Sequence, residues 1–412
     1  MFRSLCILGR QPAIGLTELE SLYGANKVKP LGSQAVLLDV DPCLLAFDRL
    51  GGCIKFCKVL TELDTANWSK IETFLLEVSP EHSTRLPAGK MRLGLSVYDM
   101  KISAKQLEAT ALRLKSVIKE TGRSVRVVPN KEPSLNSAQV VHNQLTGPTG
   151  WELIFIGNGS KTVLAQTVKV QNIASYAMRD RDRPKRDARV GMLPPKLAQI
   201  IINLAVGELP DEAKQSICEI PAGEPVPLPD FSNIRVLDPF CGTGVILQEA
   251  LLMGYKVCGT DLESRMIEYS KINLAWLTSG YHLTATDSRL EAADATTNKW
   301  GDFTTVASET YLGRPFTSLP SEGILQQTIN EVNTITKKFL QNLAAQTKPG
   351  LRSCFALPVW NINDRFRHLP LLDHLTDMGY NRVSFVHAAE TDLIYHRPGQ
   401  IVGRELVTLI RK

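Results

Sequence analysis

The residues best suited to chemistry lie between Arg235 and Glu263, in RVLDPFCGTGVILQEALLMGYKVCGTDLE. An apolar run ends on Asp238 and Pro239, glycines follow at Gly242 and Gly244, and an amphipathic stretch leads to a second apolar run that ends on Asp261. The pattern reads as strand, glycine turn, helix, strand, acid. In an open α/β sheet, ligands bind beyond the carboxyl ends of the strands, where the strand order reverses. A turn there must let a ligand approach the backbone, which suits residues without a Cβ. Asp261 is placed to accept from both hydroxyls of a ribose. A phosphate loop would require Gly-Lys-Ser/Thr, where Val245 and Ile246 stand, and a dinucleotide fold would require a third glycine near Leu247. What remains is an adenosyl sulfonium, S-adenosylmethionine, whose charged amino-acid end suits an acid at Asp238. An unliganded turn of the same shape is the plainer alternative, and a complete strand-turn-helix-strand-acid unit speaks against it more than a lone Gly-x-Gly would.

The elements that must position these residues follow from the rest of the chain. From Arg235 strands and helices alternate almost to the C-terminus, which predicts an α/β domain with a doubly wound, mostly parallel sheet. The last stretch, TDLIYHRPGQIVGRELVTLIRK, reads as an antiparallel closing hairpin around Pro398 and Gly399. Upstream, the first 80 or so residues read as a small α/β or α+β unit, in which Ile14, Leu16, Leu19 and Leu22 share one side of a helix. VSPEHSTRLPAGK reads as a linker. A second unit over residues 90–170 runs strand-helix-strand-helix-strand-strand, with Ser103 as an N-cap and Gly122 as a stop. Residues 171–190 read as an exposed basic connector. The helix PPKLAQIIINLA then opens the C-terminal domain, 191–412, with prolines where a missing N–H does no harm.

A chain of 412 residues implies two or three domains. With 43% hydrophobic and 22% charged residues it is an ordinary globular composition, and a net charge of +5 permits a polyanionic partner without requiring one. The eight cysteines form no C-x-x-C pair and have no histidine cluster near them, so no metal site is expected. The lack of a disulfide framework and the absence of a long apolar N-terminal run point to a cytosolic protein with no membrane span.

The run RDRDRPKRDARVGMLPPKLAQIIINLA, then DPFCGTG, then DLESRMIEYSKINLAWL, then EAADATT resembles the class I methyltransferases. Within them it is similar to the THUMP-domain RNA methyltransferases that act on the exocyclic N2 amine of a guanosine in tRNA, at position ten. The resemblance covers Arg179 to Lys412; the front half resembles the THUMP domain and its ferredoxin-like partner in element order. It implies a Rossmann-like C-terminal domain, a ferredoxin-like domain over 1–80, a THUMP-like RNA-binding domain over 90–170, S-adenosylmethionine as cofactor and tRNA as partner. A small activating subunit is left open. Asp238, Phe240, Gly242 and Gly244 would line the methionine and ribose part of the cofactor. Asp261 and Leu262 would hold the ribose and flank the adenine, and Asp294 and Ala295 would meet the adenine edge.

Amine methylation sets a definite requirement. The guanine amine's lone pair is delocalised into the ring, so the enzyme must hold the amine's hydrogens, align the nitrogen with the methyl and let a proton leave. The resembled enzymes use Asp/Asn-Pro-Pro-Tyr/Phe after the fourth strand, the aromatic stacking on the flipped base. Here the strand FTTVA is followed by SETYLGRPF. Aligned on the aromatic, Ser308 replaces the acid or amide, Glu309 and Thr310 replace the prolines, and Tyr311 stays. Shifted by one, Glu309 becomes the acceptor and a general base. For RNA contacts the connector offers Arg179, Arg181, Arg183, Lys185, Arg186 and Arg189, cut to a net charge of three by three acids. Lys101, Lys105, Arg113 and Lys115 near the second unit's helix are further candidates, and Arg397 and Arg404 near the closing hairpin would face the same cleft. Two other readings stand beside this one: methylation of another RNA base or a DNA amine, and a non-catalytic RNA-binding protein that keeps the fold.

Overall fold

The computed structural model describes residues 3–187, 192–209, 231–281, 283, 287–316 and 318–412. The chain divides into two compact units, Met1–Pro12, Ala25–Asp48 and Cys53–Ile173 forming one, and Ala13–Gly24, Arg49–Gly52 and Ala174–Lys412 the other.

The first unit is built on strands β1 (Ser4–Leu8), β2 (Val28–Leu31), β3 (Ala35–Leu38), β4 (Cys53–Leu63), β5 (Met91–Tyr98), β6 (Val125–Val127), β7 (Gly150–Asn158) and β8 (Lys161–Val170). They form one eight-stranded sheet in the order β2-β3-β1-β4-β8-β7-β5-β6. The two N-terminal domains expected over 1–80 and 90–170 are thus joined through hydrogen bonds, because β4 pairs antiparallel with β8 along most of its length. A buried polar row crosses the junction. The Lys55 ammonium on β4 meets the Glu152 carboxylate on β7, both side chains having no exposure. Glu152 also accepts from Ser96 Oγ (2.6 Å) and Thr167 Oγ1 (2.7 Å), and Lys55 Nζ donates to Leu135 O (2.6 Å). Every partner is a neutral dipole or the opposite charge, which is what a buried ion pair requires.

Helix α1 (Pro12–Tyr23) precedes β2 in the chain, and α2 (Trp68–Thr84) and α3 (Ala104–Glu120) cover the sheet's β5 side. In α3, Leu107, Ala111, Leu114 and Ile118 recur at helical spacing and are all buried. Ser103 caps it in a capping box with Gln106, and Gly122 (φ 83°) stops it, as its sequence predicts. The expected linker at 78–90 is instead helical as far as Thr84, with Pro80 inside α2 and Ser79 and Ser83 buried. Capping of its start by Asn67 and burial of Ile71 and Leu75 hold the helix through the missing N–H. A further short helix, α4 (Ser137–His142), lies between β6 and β7.

Within the second unit, α1 is buried on all sides from Ile14 to Tyr23 rather than along one stripe. Glu18 on this helix accepts from Gly51 N (2.9 Å), Gly52 N (2.8 Å) and Asn203 Nδ2 (2.7 Å), and burial pushes its carboxyl up to about 7. After α5 (Ile173–Ala177) and α6 (Pro195–Val206) come β9 (Phe231–Asp238), α7 (Val245–Leu252), β10 (Tyr255–Asp261), α8 (Ser264–Gly280), β11 (Ser288–Ala292), β12 (Thr305–Glu309), α9 (Glu322–Gln346) and β13 (Arg352–Ile362). Four small or closing strands follow: β14 (Arg365–Arg367), β15 (Tyr380–Arg382), β16 (Ile394–Tyr395) and β17 (Val402–Arg411). The sheet order is β11-β10-β9-β12-β13-β17-β15. Its first five strands are parallel, while β17 inserts antiparallel between β13 and β15 and also pairs with β16, the closing strands expected around Pro398 and Gly399. Leu325, Ile329, Val332, Phe339, Leu340 and Leu343 of α9 pack on Leu237, Val306, Phe355 and Val407 of the sheet. The fold is α/β and Rossmann-like, as expected.

The Lys55–Glu152 pair gives a test of the first unit. Replacing Glu152 by Gln leaves a buried ammonium unpaired, and chemical denaturation is expected to show a loss of about 3–5 kcal/mol. A Lys55→Met, Glu152→Met double variant should recover most of that loss.

Candidate active site

The chain leaves β9 toward β10 on one side and places β12 on the other, so the strand order reverses between β9 and β12. The crevice beyond their carboxyl ends is where this architecture binds ligands. The glycine turn lies there. Gly242 (φ 49°) and Gly244 (φ 84°) both adopt the left-handed backbone that favours glycine, and a Cβ on Gly244 would stand 2.9 Å from Ser270 Oγ. α8 holds the turn from behind: Ser270 Oγ donates to Gly242 O (2.8 Å) and Asn273 Nδ2 to Thr243 O (2.9 Å). From the β10 tip, Asp261 Oδ2 accepts from Gly242 N (2.9 Å) and Oδ1 from Glu263 N (3.0 Å). Each oxygen keeps a second lone pair for a ligand.

Asp238, the last residue of β9, is 2% exposed. Its Oδ1 accepts from Ser308 Oγ (2.6 Å) and from Phe240 N (3.2 Å), and no donor among the described residues uses Oδ2. Burial pushes the carboxyl up to about 7, against the pull of the Ser308 hydroxyl and the Phe240 N–H, with Asp261 and Glu309 adding repulsion. A carboxylate tethered by one oxygen and free at the other fits a cationic group, and the positively charged amino-acid end of S-adenosylmethionine is one. Around it, Phe240 is half-buried edge-on to Phe339 (5.0 Å between centroids) and Leu262 is exposed at the crevice rim. Ala295 is buried, while exposed Asp294 turns Oδ1 onto Thr296 N and Oγ1, both at 2.8 Å. Trp300 Nε1 donates to Thr260 Oγ1 (3.2 Å) beside these residues, a contact with no motif to announce it. These residues fit an adenosyl group: open backbone, an acid at the second strand's tip and apolar surface beside it.

Strand β12 runs two residues beyond the sequence expectation and ends on Glu309. Ser308 and Glu309 therefore point to opposite faces of the sheet. Ser308 is fully buried and its hydroxyl is committed to Asp238. Glu309 faces Arg404 of β17, whose Nε–H donates to Oε1; Oε2 has no donor among the described residues. Of the two candidate acceptors in SETY, Ser308 is committed to Asp238 and Glu309 keeps one oxygen without a donor among the described residues. Thr310 is buried with its N–H on Ala356 O (3.2 Å) and its Oγ1 unpartnered. Tyr311 follows, 37% exposed as a residue, with its hydroxyl donating to Glu331 Oε1 on α9 (3.3 Å). The side chain is thus tethered at its far end and partly exposed.

The connector departs from its expected exposure. Arg179 is 6% exposed, and its guanidinium forks onto Glu249 of α7, with Nε–Oε1 at 2.6 Å and Nη2–Oε2 at 3.2 Å. Such a bidentate pair removes Arg179 from any phosphate. Arg183 is 3% exposed, and burial lowers its guanidinium from its ordinary value. Lys185 gives its backbone to Asn273, N–H to Oδ1 and O from Nδ2, both at 2.9 Å. Only Arg181 and Arg186 are plainly exposed, and Arg189 lies outside the described residues. In the first unit, Lys101 and Lys105 are exposed, Lys115 is half-buried and Arg113 pairs with Glu72. Arg397 is exposed beside Tyr395. Among the described residues no group of His, Cys, Asp and Glu is placed to hold a metal, and no helix is long and apolar enough to cross a membrane.

No family model matches the chain. It is 36% identical over 105 residues to a tRNA (guanine(10)-N2)-dimethyltransferase of Methanothermobacter thermautotrophicus, a match over 26% of this chain and 23% of that protein. A protein of the same name from Methanocaldococcus jannaschii is 34% identical over 117 residues, 27% of each chain. The chain thus spans about a quarter of the length of the curated relatives it matches. Among solved structures, TrmN from Thermus thermophilus aligns over the whole of both chains with a TM-score of 0.51 at 15% identity, a likeness of fold. The fold is therefore the class I methyltransferase fold preceded by an N-terminal region.

The buried Asp238 carboxyl makes stability depend on pH. With its folded value about 7 and its ordinary value 3.8, the folded state keeps a proton that the unfolded chain releases between them. The protein is therefore most favoured on the acid side and loses this contribution as pH rises from about 4 to about 7. Asp238→Asn removes the effect. In ligand-free thermal and denaturant unfolding, the variant's advantage should grow over that window to a few kcal/mol and level off above it. An advantage independent of pH would show that Asp238 is ionised throughout.

Proposed function

We propose that this chain is an S-adenosylmethionine-dependent methyltransferase acting on the exocyclic N2 amine of a guanosine in tRNA, with position ten as its target. The observation that carries the reading is the pair of carboxylates on adjacent strands, Asp238 and Glu309. Each is held through one oxygen and leaves the other free at the crevice that contains the glycine turn. The names of the two curated relatives, whose matches fall on a quarter of the chain, support the choice of guanine N2 and of tRNA.

In this reading Asp238 takes the ammonium of the cofactor. Gly242 and Gly244 let the methionine and ribose lie against the backbone, Asp261 accepts from the ribose, and Phe240, Leu262, Asp294 and Ala295 surround the adenine. The cofactor supplies a methyl group on a positively charged sulfur. The chain's own work is at the other reactant. Tyr311 stacks on the flipped guanine, and Glu309 Oε2 accepts a hydrogen of the amine, fixing the nitrogen's lone pair toward the methyl. As the amine gains positive charge, the same carboxylate stabilises it and can take the proton that leaves. Three of the four residues expected from Asp/Asn-Pro-Pro-Tyr/Phe are absent, yet an acceptor and an aromatic survive. The ion pair with Arg404 holds the acceptor that proline-borne backbone would otherwise hold. The N-terminal unit serves as a THUMP-like tRNA-binding region, and exposed Arg181 and Arg186 contact phosphates.

Mass spectrometry of nucleosides from tRNA incubated with the protein and labelled cofactor is expected to find the label in N2-methylguanosine. Glu309→Ala should lower the rate about 100- to 1,000-fold and leave calorimetric cofactor affinity within a few-fold. Label in another nucleoside would move the target. Cofactor uptake without transfer to any tRNA would favour an RNA-binding protein that keeps the fold.

A further inference from the structure

Arg404 stands opposite Pro358 of β13 and Tyr395 of β16, at the edge of the sheet where β12 and β13 end. It is 8% exposed. Three other arginines of the same unit each use two nitrogens of the fork, while Arg183 and Arg235 keep fork nitrogens that are unpartnered among the described residues but sealed from solvent. Arg49 reaches Asn203 and Tyr255, Arg352 reaches Leu204 O and Ser21, and Arg382 bridges Glu405 and Glu390. Arg404 uses only Nε–H, on Glu309. No hydrogen bond or ion pair among the described residues uses its Nη1 or Nη2, and neither atom is sealed from solvent. A guanidinium carries five N–H donors in a rigid fork. Arg404 thus holds unused donors next to the unused acceptor of Glu309.

Acceptor beside donor is half of a nucleobase code. The Watson–Crick edge of guanine presents, in a row, the 2-amine, the N1–H and the O6 carbonyl: donor, donor, acceptor. A carboxylate offers acceptors for two parallel N–H groups, since Oε1 keeps a lone pair after serving Arg404. A guanidinium beside it then faces O6. Adenine would set its N1 lone pair against a carboxylate oxygen, which repels it. We propose that Arg404 reads the O6 of the target guanine while it holds Glu309 in place, so that the pair selects guanine over adenine. This rests on the reading of Glu309 as the acceptor for the amine, and it assigns Arg404 to the base rather than to phosphate.

The test is a cycle between one residue and one substrate atom. Two tRNAs are prepared, one with guanosine and one with 2-aminopurine riboside at position ten, the second keeping the 2-amine and lacking O6. Methyl transfer to each is measured as kcat/KM for the wild-type protein and for Arg404→Gln. Wild type should lose about 10- to 100-fold more on the analogue than the variant does, the size of a hydrogen bond to a charged group. Arg404→Gln should be slower on guanosine by a similar factor, and its loss on the analogue should be smaller than that of wild type by about that factor. The missing N1–H of 2-aminopurine affects both proteins and cancels in the cycle. Cofactor calorimetry reports whether the variant is folded. If it is not, Arg404→Lys takes its place, because a single ammonium cannot serve Glu309 and O6 as a fork does. An analogue penalty equal in wild type and variant overturns the assignment of Arg404 while leaving the methyltransferase reading intact. No transfer by wild type to either tRNA overturns that reading, and this inference with it.

Discussion

The structure's chemistry depends on one costly act, the burial of Asp238 at the end of β9. A carboxyl group enclosed by protein resists ionisation unless its oxygens are served. Here one hydroxyl and one backbone N–H serve Oδ1 alone. The sheet must therefore bring Ser308 of β12 beside β9, which the pairing of Val306 with Leu237 accomplishes. The turn after Asp238 must also curl back, with Phe240 N–H returning to the acid and Gly242 and Gly244 in left-handed backbone. Once those conditions are met, Oδ2 is a carboxyl oxygen at a switch point with no protein partner among the described residues, and a cation brought there would draw the group into its ionised form. A cation brought there would be worth more than at the surface, because the low local dielectric strengthens the pairing.

Alternation along β12 divides the remaining work. Ser308 and Glu309 are neighbours, and the pleat sends one to Asp238 and the other to Arg404. A register shift of one residue would exchange them and leave both acids unserved. What holds the register is pairing with β13, Ser308 opposite Phe355 and Glu309 opposite Ala356. β13 in turn is held along nine residue pairs by β17, the strand that carries Arg404. The closing strands thus do more than cap the sheet. They carry the counter-charge to Glu309 and fix the strand on which Glu309 sits.

Much of this was legible in the sequence, and the limits have physical causes. The glycine turn, the acid after β10, the cap at Ser103 and the closing strands are local features, each decided within a few residues. The end of β12 was not legible. Serine and glutamate have little preference for strands, so only pairing with β13 carries the strand on to Glu309. Nor could the sequence show that β4 would meet β8, more than a hundred residues away in the chain, and fuse two expected domains into one sheet. The helix α1 looked one-sided because Glu18, Glu20 and Ser21 are polar. Their burial is explained by partners at Gly51, Asn203 and Val386 that no local pattern announces.

The connector shows most clearly how a charge run misleads. Six bases and three acids in sequence suggest a solvated, phosphate-facing surface. In the structure the first arginine is spent on Glu249, seventy residues on, and the lysine's backbone is spent on Asn273, which also holds Thr243 O of the glycine turn. The segment is therefore a brace behind the glycine turn. Arg179 acts on the site through α7 without touching it, and Asn273 holds the glycine turn directly from α8. The two roles separate along the same stretch. Loss of Arg179 leaves Glu249 charged and unpaired in the interior, a cost to folding. Loss of Arg181 or Arg186 removes exposed charge, a cost to polyanion affinity that salt would mask. Neighbouring residues of one type thus answer to different forces, and burial decides which.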